Sequence, residues 1–110
     1  MNKSKFLITR HKGFKMGFEN GFGISVQWGT ENYCEKKSFN TDTDPVDPHR
    51  WESLSAEIAI YKDQKFIDVG DDQVIGWLSP DEVAKVIEIV ATAHTDIEIQ
   101  VKLEVEKIIK

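Results

Sequence analysis

The chain has 110 residues, 40% apolar and 30% charged, with a formal net charge of −5 and one cysteine. That composition excludes a disordered chain, and a lone cysteine excludes an intramolecular disulfide framework. No apolar run approaches the ~20 residues of a membrane-crossing helix, so the expectation is a soluble, cytoplasmic protein forming a single domain over 1–110.

The first twelve residues form a basic arm. Lys3, Lys5, Arg10, Lys12 and Lys15 give residues 1–18 a charge of +5 with no acid, and the remainder has 14 − 5 = 9 basic residues against 19 acidic ones. The arm's apolar stretch is too short for a signal peptide. An acidic protein is a poor partner for a polyanion, which disfavours nucleic acid and favours the arm lying against the acidic body of its own chain.

The core is expected over about 13–94 and opens with "GFKMGFENGFGISVQWG". A helix would place Gly13, Gly17 and Gly21 on one face at ~1 kcal/mol each. A dinucleotide loop would need a third glycine in "GFGISV", which is absent. Alternation of Phe14, Met16 and Phe18, then Phe22, Ile24, Val26 and Trp28, predicts a hairpin. A two-residue Asn20-Gly21 turn would send the two apolar rows to opposite faces. A three-residue loop, Glu19-Asn20-Gly21, pairs Phe18 with Phe22, Met16 with Ile24 and Phe14 with Val26, so all seven side chains face one core. Gly17 then opposes Gly23 on the other face, leaving a bare backbone patch open to close approach.

Residues 30–54 read as a long loop, with a helical turn beginning at Asp47-Pro48. "SAEIAIY" (55–61) alternates with Ala56, Ile58 and Ile60 on one side. "KDQK" turns the chain into "FIDV" (66–69), and "QVIGWL" (73–78) reads as a further strand. The main helix is expected at about 80–93: Ser79 caps it, Pro80 takes the first position, Glu82 completes a capping box, and Val83, Val86, Ile87 and Val90 form the buried stripe. In the extension 95–110, Ile97, Ile99, Val101, Leu103 and Val105 alternate as in a strand. Thr95 with Glu98 and the spacing 97, 101, 105, 108 also allow a helix, and the density of β-branched residues favours the strand. Basic arm and acidic tail are expected to pair, within one chain or across a homodimer. The fold class is α+β: an antiparallel sheet of four to six strands with one main helix on a face.

Candidate chemistry is sparse. Cys34 and His49 flank the long loop, but nothing brings them together and no oxyanion motif accompanies them. Asp42, Asp44, Asp47 and His49 could ligate a metal, yet a calcium loop would need a central glycine and a glutamate where Ser53 stands; a solvated acidic loop accounts for them better. His11 and His94 have no companions at ligand spacing. The expectation is therefore no catalytic residue, no metal and no cofactor. A recognition patch is expected instead, from Gly17, Gly23, Ser25, Gln27, Trp28, Asn32 and Tyr33, with ordinary solvent-facing strand decoration as the competing account.

The fragments "FENG" (18–21), "SVQWG" (25–29), "NYC" (32–34), "AEIA" (56–59) and "GWLSPDEV" (76–83) together resemble small uncharacterised proteins encoded in bacteriophage genomes, over roughly residues 14–93. The resemblance implies a viral origin and a host-cell cytoplasmic setting, and transfers no activity or site. Two functions fit: a non-enzymatic binding module that engages a host protein and blocks a defence or metabolic factor, or a protein that sequesters a small ligand such as a signalling nucleotide.

Overall fold

In the computed structural model of the chain, residues 4–9, 13–38, 51–69, 73–94 and 98–108 are described. The β-periodic segments become strands β1 (Lys5–Thr9), β2 (Gly13–Gly17), β3 (Phe22–Gln27), β4 (Ala56–Lys62), β5 (Lys65–Ile67) and β6 (Val74–Leu78). All pair antiparallel in the order β1-β2-β3-β4-β5, with β6 also on β4. Helix α1 (Pro80–Thr92) packs on β3 and β4, and helix α2 (Glu98–Ile108) packs on α1. The α+β reading holds, with six strands among the described residues.

The β2–β3 hairpin has the register that face consistency demands. Phe14 opposes Val26, Met16 opposes Ile24 and Gly17 opposes Gly23. The Phe18 amide donates to the Phe22 carbonyl at 2.9 Å, closing a three-residue loop. Gly21 sits at φ 87°, a region that costs other residues about 1–2 kcal/mol. Phe22, Ile24, Val26, Ile58, Ile60, Leu78, Val83, Val86 and Val90 form the centre of the core. Each such side chain contributes roughly 1.5–3 kcal/mol by leaving water.

Helix α1 begins as its sequence dictates. The Ser79 hydroxyl accepts from the Glu82 amide at 3.2 Å, and the Glu82 carboxylate accepts from the Ser79 amide at 2.9 Å. The Ser79 amide, followed by its hydroxyl, holds the Glu82 carboxyl below its ordinary range. At the other end the last turn contains no basic residue. Its carbonyls are instead met from 70 residues away. Asn20 Nδ2 donates to the Val90 and Ala93 carbonyls at 2.9 and 2.8 Å, while its Oδ1 accepts from the Phe22 amide at 3.0 Å. The hairpin tip is therefore the helix C-cap.

Two expectations are corrected. Residues 98–108 form a helix, not a strand. Val101 and Val105 are 2% and 0% exposed in its buried face, whereas Leu103, which alternation would group with them, is 56% exposed. Burial against α1 overrides the β-propensity of the sequence. Nor does the arm pair with the tail inside the chain: β1 pairs with β2, setting Phe6 beside Met16 and Ile8 beside Phe14. Residues 5–9 thus belong to the sheet rather than to a separate arm. A short 3₁₀ turn, Glu35–Ser38, lies within the stretch read as loop. The turn expected at Asp47-Pro48, and His11, Asp42, Asp44, His49 and Thr95, lie outside the described residues.

Candidate functional site

The sheet divides the recognition patch expected from sequence. Lys5, Leu7, Lys15, Gly17, Gly23, Ser25 and Gln27 share the face opposite the helices, by register. Trp28 packs toward the helix side, its ring 6.1 Å from that of Phe14 in an edge-on arrangement. The glycine pair is only half bare. A Cβ on Gly23 would fall 2.3 Å from the Tyr61 ring, so that aromatic already covers it. Gly17 remains open, with the nearest atom on the Lys5 stem at 3.8 Å. Around it lies a groove of about 530 Å³ whose walls include Lys5, Lys15, Tyr61 and Phe66. The Tyr61 hydroxyl donates to the Met16 carbonyl at 3.3 Å, and burial raises its pKa.

Asn32 and Tyr33 are placed by a carboxylate. Glu57, opposite Gln27 on β4, accepts from Asn32 Nδ2 at 3.1 Å and from the Tyr33 amide at 3.0 Å. Asn32 Oδ1 accepts from the Gly29 amide at 2.9 Å, so its side chain organises the loop. Tyr33 is left 47% exposed, with the Lys37 ammonium 4.8 Å from its ring centre. Cys34 is fully buried, its thiol 3.5 Å from the Gly29 carbonyl, which is a structural placement.

Beside Tyr33 lies the feature that sequence reasoning missed. On β4, Ile58 and Ala56 are two residues apart, while their partners on β6, Ile75 and Leu78, are three apart. Gly76 and Trp77 form the resulting bulge opposite Glu57. Trp77 adopts φ 62°, its amide donates to the Tyr33 carbonyl at 2.9 Å, and its residue surface is 58% exposed. Tyr33 fits because Gly76 has no side chain: a Cβ there would meet that of Tyr33 at 2.4 Å. The bulge keeps Leu78 in the core at 4% exposure while Trp77 stands out. A glycine inside a strand pattern was the available signal.

On the helix side, Trp28 and Trp51 exchange hydrogen bonds. Trp28 Nε1 donates to the Trp51 carbonyl at 3.3 Å, and Trp51 Nε1 donates to the Trp28 carbonyl at 3.0 Å. The two tryptophans line an open pocket of about 440 Å³ together with Phe14, Leu78, Val83 and Ile87. Among the described residues no group of three or more His, Cys, Asp or Glu could hold a metal ion. No described helix is long and apolar enough to cross a membrane.

The chain matches no protein-family model, no curated protein and no solved structure.

Proposed function

We propose that this protein is a small, non-enzymatic binding module of bacteriophage type that engages a host protein in the host-cell cytoplasm and thereby blocks a defence or metabolic factor. The observation that carries this reading is Trp77. A bulky residue at φ 62° is strained by about 1–2 kcal/mol, and the strained conformation, held by the amide bond to the Tyr33 carbonyl, leaves Trp77 58% exposed rather than in the core. Tryptophan and tyrosine are the side chains that most often anchor protein interfaces. Stability alone gives no reason to keep an aromatic there.

The test is affinity capture from bacterial lysate with the parent chain and with Trp77→Gly, compared by mass spectrometry. A stoichiometric host protein retained by the parent and lost by the variant is the expected result. Equal retention by both chains, or none by either, sinks the reading.

A second reading, sequestration of a small ligand such as a nucleotide, is favoured by the groove at Gly17. It combines an open backbone floor, the Tyr61 and Phe66 rings and the ammonium groups of Lys5 and Lys15. Release of an ultraviolet-absorbing small molecule on denaturing the purified protein would support it.

A further inference from the structure

A second surface lies at the opposite side of the sheet from β6. β1 is the terminal strand, and among the described residues only β2 pairs with it. Its other edge therefore offers a row of amide and carbonyl groups to a further strand. Phe6 and Ile8 are 76% and 88% exposed, although register puts them on the same face as the core residues Met16 and Phe14. Helix α1 packs over β3 and β4, so this end of the face is an uncovered apolar shelf. On the opposite face β1 carries Lys5, lying across Gly17, and Leu7, with Lys15 of β2 beside Leu7.

We propose that β1 receives an extended segment of a partner protein in which apolar and acidic side chains alternate. The period of two decides this chemistry. Every second side chain of an added strand would lie on the Phe6–Ile8 shelf, and the intervening ones would share the face of Lys5, with Lys15 one strand further in. A second copy is the wrong occupant on charge. Self-pairing would bring Lys5 of two copies together, each within a segment 1–18 that has a charge of +5 and no acid. The edge lysine thus discourages homotypic pairing and selects an acidic strand. This surface is independent of Trp77.

Two labelled eight-residue peptides test it, one alternating Glu with Val and one alternating Lys with Val, by fluorescence anisotropy at low and high salt. The Glu–Val peptide should bind the parent chain, weaken with salt, and protect the amides of residues 5–9 from hydrogen exchange. Lys5→Glu should weaken it about tenfold and give the Lys–Val peptide measurable affinity. Phe6→Ser with Ile8→Ser should abolish binding while the melting temperature stays unchanged, since both side chains are exposed. Trp77→Gly should leave peptide binding intact. Equal affinity for the two peptides, protection elsewhere, or loss of binding in Trp77→Gly would overturn the proposal. So would a concentration-dependent dimer that Phe6→Ser with Ile8→Ser dissociates, because a second copy would then be the occupant.

Discussion

The hairpin tip at Glu19–Gly21 and the bulge at Gly76–Trp77 both place a residue at positive φ, and they do so with opposite choices. At the tip the left-handed position falls to glycine, and its neighbour Asn20 uses its whole amide on the fold, capping α1 and bracing Phe22. At the bulge the glycine occupies the adjacent position, beneath Tyr33, and the left-handed conformation falls to tryptophan. The first arrangement relieves strain and supplies hydrogen-bond partners to the Val90 and Ala93 carbonyls and the Phe22 amide. The second retains strain and leaves a large apolar ring in water. Local economy marks the part of the chain that holds the fold, and its violation marks the part selected for something else.

The sharpest way to break this contrast is Asn20→Ala. Removing the amide frees the Val90 and Ala93 carbonyls and the Phe22 amide at once, and should cost about 2–3 kcal/mol in urea denaturation. A loss below about 0.5 kcal/mol would show that water replaces the clamp. Gly21→Ala comes next, at about 1–2 kcal/mol, because alanine must then adopt φ 87°.

A smaller effect separates strain from packing at the bulge. Trp77→Gly and Trp77→Ala both lack the indole, so their difference isolates the backbone. Glycine should be the more stable of the two by about 1 kcal/mol, the reverse of the usual order in regular structure. Equal stabilities would mean that the bulge relaxes once the ring is gone.

The smallest effect concerns the start of α1. The Glu82 carboxyl is lowered by its bonds to Ser79, so it contributes stability above the ordinary carboxylate pKa, and this is lost as pH falls through the lowered value. Thermal melts of the parent chain and Glu82→Gln should converge as the solution is acidified. A constant gap across that range would count against the capping box.

Much of the framework was legible because local and global demands agree there. The three-residue hairpin loop follows from keeping seven apolar side chains on one face, and the cap at Ser79 from a motif complete within four residues. The tail was misread because its sequence satisfies two periods: Val101 and Val105 are compatible with either, and only packing on α1 decides. Asn20 read as a turn residue, since its role as a helix cap depends on carbonyls 70 positions away. In the patch expected from sequence, period two correctly grouped Gly17, Gly23, Ser25 and Gln27 on one face. It could not foresee that Tyr61 would cover Gly23, or that the bulge would turn Trp77 outward.

The reciprocal bonds between Trp28 and Trp51 reach further than the pocket they line. They fasten two points 23 positions apart in sequence, and Glu35 and Ser55 fasten the chain again over an overlapping span of 20, amide to hydroxyl, at 2.9 Å. What the rest of the molecule feels is the pair of fastenings, not the length of chain strung between them. Doubling that length would add only about 0.6 kcal/mol of closure entropy. Insertions or tags between the fastened points should therefore be accommodated at small cost while β3 and β4 keep their register.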